Sequence, residues 1–273
     1  MQKHLVDIFG NTNKLMEISI TEALAGKSTS IKGKEYLSTA AYVEPFLERM
    51  SKYTDNFIIN GIQPDQITLT KEGNINLEDI TWNRMWVQAV IPDNIGYDNH
   101  NRVIGMVYGL DVRKPIVKFY VGGLNMACCN LCVFSPSFLD VKELEPEKAI
   151  DYRVVDRLMT QTDNVRAILE KLSNTEVEYN ETVINENLGD WVRKTLNNSF
   201  TNQLSKVKLA TSSAIDAYKL LYEKEDSPYF VPQGTTTDMF NIYNAWTQVI
   251  TDDKKDIINK AEKTLLVGNI LGL

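Results

Sequence analysis

A chain of 273 residues with 43% hydrophobic and 24% charged side chains can bury a sizeable core, and its formal charge of −7 argues against coating nucleic acid through bulk positive charge. A local basic strip stays compatible with that balance. No apolar run approaches the ~20 residues that cross a bilayer, and the opening MQKHLVDIFGNTNK lacks the apolar core of a signal peptide, so the expected compartment is the cytoplasm, with no membrane partner.

Residues 13–26 place Leu15, Met16, Ile18, Ala23 and Leu24 at helical spacing, with Gly26 as a stop. Gly33 follows in a polar link with Lys27, Lys32 and Lys34. A second helix is predicted from Ser38 or Thr39 to about Tyr53, striped by Val43, Phe46, Leu47 and Met50, with Pro45 tolerable in its first turns. From Phe57 the period becomes alternating, giving strands over 57–59, 66–70 and 80–91, punctuated by Gly61, Pro64, Gly73 and Pro92.

The stretch 102–134 organises the rest. Residues 102–110 alternate, with Val103, Gly105, Val107 and Gly109 on one face and Ile104, Met106, Tyr108 and Leu110 on the other. Turn chemistry over 111–115 leads to a second strand at 116–121, which Gly122-Gly123 is expected to break. Residues 126–134 are nearly all apolar, as in a strand buried on both faces, and the short connections favour antiparallel pairing. After Phe134 the strand signal fades. One long helix is predicted over 146–172, then shorter helices near 183–196, 212–224, 239–250 and 253–267. The expected class is α+β: a mostly antiparallel central sheet over about residues 57–135, flanked by N-terminal helices (1–55) and a C-terminal helical half (136–273) in one interlocked domain.

Catalytic motifs are not what this sequence offers. Cys128, Cys129 and Cys132 form CCxxC, but a zinc site needs four ligands, and His4 and His100 belong to no paired motif. On a strand Cys129 and Cys132 point to opposite faces, so all three thiols are expected to be reduced, buried and structural, with no metal and no cofactor. The tract Asp98-Asn99-His100-Asn101 reads as a turn before it reads as a base or cation site. No nucleophile elbow, phosphate loop, zinc-protease helix or calcium loop is present.

The surface candidate is the strand over 80–91. Alternation puts Trp82, Arg84, Trp86 and Gln88 on one face, and two indoles flanking a guanidinium could stack bases or grip a peptide. Lys118 and Tyr120 would share that face, and the turn before them carries Arg113 and Lys114. Covering helices would instead make the tryptophans core. Lys206, Lys208, Lys254, Lys255, Lys260 and Lys263 lie among acids and read as solvated helix faces.

Two segments resemble the phage/plasmid-like proteins of domain of unknown function 932. The first runs from Gly122 to Val133, where Cys128 and Asn130 match a Cys-x-Asn-Gly tract preceded by a glycine and an arginine. Asn125 stands in place of that arginine and Leu131 in place of the last glycine. The second is TTTDMFNIYNAWTQV over 235–249, with an aromatic followed by Tyr243-Asn244-Ala245. The resemblance implies a mobile-element origin and an α+β fold, and no established activity. The expected function is a non-enzymatic phage or plasmid protein in the host cytoplasm, acting in DNA metabolism and holding single-stranded DNA. The alternatives are an interaction module directed at a host or phage protein and, below both, a thiol or metal enzyme. Homo-oligomerisation stays open. Asn130 and Asn244, inside apolar elements, are expected to be hydrogen-bonded, Asn244 tying its helix to the sheet.

Overall fold

Ser19 starts the first helix: its hydroxyl accepts from the Glu22 N–H and the Glu22 carboxylate reaches back to the Ser19 N–H, a capping box that leads α1 (Ile20–Leu24). The computed structural model describes residues 16–62, 82, 84–92, 100–110, 113–125, 130–178, 215–232, 235–251 and 257–271. The expected helix over 13–26 is therefore shorter in its described part, because Met16–Glu17 is spent as β1, an edge strand on the sheet. The polar link after α1 is a β-hairpin, β2 (Thr29–Ile31) against β3 (Lys34–Tyr36). Lys32 and Gly33 turn it with φ of 53° and 74°, both left-handed, the pattern that matches a two-residue turn to strand twist.

α2 (Thr39–Met50) follows, capped by Ser38, with Val43, Phe46, Leu47 and Met50 all buried. Pro45 sits inside it, beyond the first turn. The main sheet then builds by antiparallel neighbours: β4 (Phe57–Ile62), β5 (Arg84–Ile91), β6 (His100–Gly109) and β7 (Ile116–Asn125). β8 (Asn130–Cys132) and β9 (Leu139–Glu143) share the far side of β7, one pairing with each half of it. This is an α+β fold with an antiparallel sheet, as composition and period implied. β7 runs straight through Gly122-Gly123, so these glycines do not break it. They instead let close neighbours in: a Cβ on Gly122 would lie 2.3 Å from the Cys132 carbonyl oxygen, and one on Gly123 would lie 3.2 Å from Leu169.

The first sheet face holds Met85, Val87, Ile104, Met106, Tyr108, Val117 and Phe119. α2 covers it, with Tyr42 5.6 Å from Tyr108 and Phe46 6.4 Å from Phe119, ring centre to ring centre. The predicted helix over 146–172 is two helices, α3 (Arg153–Met159) and α4 (Thr162–Ser173), and it starts later than expected. Both lie on this face, through the Tyr152–Phe119 edge contact and the Leu169 approach to Gly123. Beyond them come a two-stranded pair, β10 (Glu176–Glu178) with β11 (Thr236–Asp238), and helices α5 (215–222), α6 (Met239–Thr251) and α7 (Lys260–Leu271). The expected strand at 66–70 and helix at 183–196 lie outside the described residues. No helix among the described residues is long and apolar enough to cross a membrane.

Candidate nucleic-acid interface

Strand register decides which side chains can act together. β5 begins at Arg84, so Trp82 lies outside the alternation. Its ring occupies the space over Gly61, where a Cβ would sit 2.6 Å away, and its Nε1 donates to the Glu22 carbonyl at 3.0 Å. Gly61 pairs with Met85, so Trp82 belongs to the first face. Trp86 belongs to the second face, with Gln88, Lys118 and Tyr120. The two indoles are on opposite sides of the sheet, and the expected stacking platform does not exist. They are also buried, at 1% and 4% exposure.

The second face carries a buried polar chain. Trp86 Nε1 donates to the Tyr120 hydroxyl, the Tyr120 ring fills the space over Gly105, and the buried Gln88 amide nitrogen beside them has no hydrogen-bond partner among the described residues. Burial pushes the Tyr120 phenol far above its ordinary pKa, against smaller opposing effects of Trp86 and Gln88, so it stays neutral. Lys118, 3% exposed, donates to Asn259 Oδ1 at 2.9 Å and forms an ion pair with Glu262. Lys260 holds its ammonium 4.8 Å from the centre of the Trp86 ring. Lys260 is thus no solvated surface lysine. This constellation clamps the start of α7 onto the sheet, and Lys118 and Tyr120 are part of that clamp rather than an open face. Arg84 is half-buried at the end of the same strand.

The two motif-like segments meet. α6 packs on β8, with Tyr243 5.1 Å from Phe134 and its hydroxyl 3.4 Å from the Val133 carbonyl. Asn244, 3% exposed, accepts from the Cys132 thiol at 3.5 Å, tying its helix to β8. Asn244→Leu is expected to cost about 1–3 kcal/mol in thermal or denaturant unfolding, because the buried thiol and the other polar neighbours of the amide lose their partner. An unchanged melting temperature would show that this tie contributes nothing. Cys128, Cys129 and the side chains of Asn125, Asn130 and His100 lie outside the described residues, and among the described residues no cluster of three or more metal-ligating side chains occurs.

Several exposed basic residues gather in a rim at one end of the sheet. Arg113 and Lys114 are exposed in the β6–β7 turn. Next to them the Leu144 N–H donates to the Pro115 carbonyl, and three residues on, the Glu147 N–H donates to Glu35 of the hairpin. Three residues of chain reach about 10 Å at most, so hairpin and turn are neighbours. The hairpin contributes Lys27, Lys32 and Lys34 against the single acid Glu35, all exposed. Lys114 pairs with Glu143 at 2.8 Å and Lys148 with Glu145. Lys32, Lys34 and Arg113 make no ion pair among the described residues. Lys32 sits in a left-handed conformation that asparagine or glycine adopts more easily, and the cost to lysine is about 1 kcal/mol. Sequence reading places Lys27, Lys32 and Lys34 in a polar link but misses the hairpin; the signal was Gly33 directly after Lys32, between Thr29-Ser30-Ile31 and Tyr36.

The fold and this rim define an α+β protein on one edge of which exposed lysines and Arg113 alternate with Glu35, Glu143, Glu145 and Glu147. Comparison with models of protein families, with curated proteins and with solved structures finds no match.

Proposed function

We propose that the chain is a non-enzymatic phage- or plasmid-type protein acting in DNA metabolism, which holds single-stranded nucleic acid by its phosphates along the hairpin rim. The observation that carries this reading is the exposure of Lys32, Lys34 and Arg113, without acid partners among the described residues, on segments tied to one end of the sheet. Glu35, Glu145 and Glu147 are exposed on the hairpin and on the segment that joins it to the turn, and a flexible single strand can bend around them more readily than a stiff duplex. Kinship with the family of domain of unknown function 932 is part of the proposal. Its support is that the segments 122–133 and 235–249 pack against each other around Asn244.

The experiment is fluorescence anisotropy with a labelled oligothymidylate at low salt, competed by unlabelled duplex. Binding that duplex displaces poorly is expected; no binding at low salt would refute the proposal. An interaction module is the second reading. The half-exposed Val141 on the edge strand β9 favours it. A thiol enzyme is the least supported reading, since the Cys132 thiol is buried and engaged by Asn244.

A further inference from the structure

β9 is an edge, and its hydrogen-bond phase can be read from its neighbour. The Leu144 N–H donates to the Pro115 carbonyl at 2.8 Å, and the ladder continues with Lys142 opposite Val117 and Asp140 opposite Phe119. Antiparallel strands alternate, so Asp140 and Lys142 spend their backbone groups on β7. Val141 and Glu143 therefore aim N–H and C=O outward, as does the Leu139 carbonyl. The Leu139 N–H is already used by the Pro136 carbonyl. Among the described residues no strand pairs with this outer side. Val141 is 50% exposed there, which is unusual for a β-branched residue on a sheet edge with no proline or bulge to guard it.

Reversed about Val141, the edge sequence Leu139-Asp140-Val141-Lys142-Glu143 sets Asp140 against Lys142 on both sides of the centre and Leu139 against Glu143 at the ends. We propose that β9 pairs antiparallel with β9 of a second copy of this chain, centred on Val141. In that register each Val141 N–H donates to the other Val141 carbonyl, and each Glu143 N–H donates to the other Leu139 carbonyl. Asp140 then faces Lys142 of the second copy twice, in the non-hydrogen-bonded positions where side chains approach most closely. The two side chains lie on one face of the strand and retain 23% and 36% exposure. Within the chain they make a loose pair at 4.0 Å, Arg157 donates to Asp140 at 2.7 Å and Lys142 to the Asp151 carbonyl at 3.5 Å. Pairing with a second copy would exchange the loose Asp140–Lys142 contact for two closer ones. A foreign strand could use the same backbone groups, but the paired opposite charges fit this chain's own sequence. The two sheets would join into one.

Sedimentation velocity over a concentration series tests this. Wild type is expected to show a reversible monomer–dimer equilibrium. Val141→Pro removes the central donor at a position where an edge strand tolerates proline, and should weaken association by about tenfold or more. Asp140→Lys and Lys142→Asp should each weaken it alone through like charges, and an equimolar mixture of the two should associate again. That recovery cannot come from misfolded chains. A wild-type chain monomeric at every concentration overturns the proposal, leaving the edge to a foreign strand. Val141→Pro chains that dimerise like wild type, or a mixture no better than its components, overturn it as well.

Discussion

Replacing Trp86 by alanine is expected to lower the unfolding free energy by about 3–5 kcal/mol, the usual cost of removing a buried aromatic. Three losses combine. The indole leaves a cavity on a face where its neighbours Val107 and Lys118 are themselves buried. The Tyr120 hydroxyl loses the donor that Trp86 Nε1 supplies, in a place where water is excluded. Lys260 loses the ring over which its charge sits, which weakens the attachment of α7 to the sheet. Urea unfolding followed by far-ultraviolet circular dichroism reads the change. A loss below about 1 kcal/mol would mean that the indole is not packed as described.

Gly105→Ala should be nearly as damaging, at about 3 kcal/mol, the upper end of overpacking costs. A Cβ at this position would lie 2.0 Å from the Tyr120 ring carbon that carries the hydroxyl, far inside contact distance. The ring cannot swing away cheaply, because its hydroxyl is held by Trp86 and the residue is 1% exposed. The prediction separates a steric role from a conformational one. Combining Gly105→Ala with Tyr120→Leu should recover part of the loss that the two changes would produce additively. Strict additivity in the double variant would place the strain elsewhere.

The parts of this fold that could be read from the sequence are those where one period governs one element. α2 was legible because Val43, Phe46, Leu47 and Met50 mark a single stripe, and β5, β6 and β7 because alternation and short turns leave few other pairings. Errors arose where a period outlasted its element. The spacing from Leu158 to Val165 continues smoothly across the break between α3 and α4, so apolar periodicity alone predicts one helix there. Extending the alternation of β5 back to Trp82 put that indole on the wrong face, since its ring lies over Gly61, opposite Met85. Gly122-Gly123 looked like an interruption because the close approach of β8 and Leu169 is a tertiary fact.

The site was less legible than the fold, for a related reason. Whether Trp86 faces solvent depends on what lies above it, and the cover includes Lys260, which sequence reading assigns to water. A long lysine can lay its stem along an apolar surface while its charge meets a ring. The hairpin that presents Lys32 and Lys34 was illegible for the opposite reason. Three-residue strands joined by Lys-Gly carry too little pattern to register. Arg113 and Lys114 were correctly expected in a turn, but their proximity to the hairpin follows only from the 144–147 segment that bridges the two.

The central claim, phosphate contact along the hairpin rim, is tested most directly by the salt dependence of oligothymidylate binding in wild type and in the Lys32→Gln, Lys34→Gln double variant. Each phosphate contact on a single strand contributes a slope of about −0.7 in log K against log salt. The account predicts that the double variant retains its stability, binds more weakly, and has a slope shallower than wild type by about 1.4, the share of two lysines. A double variant that binds with the wild-type affinity and slope would contradict it.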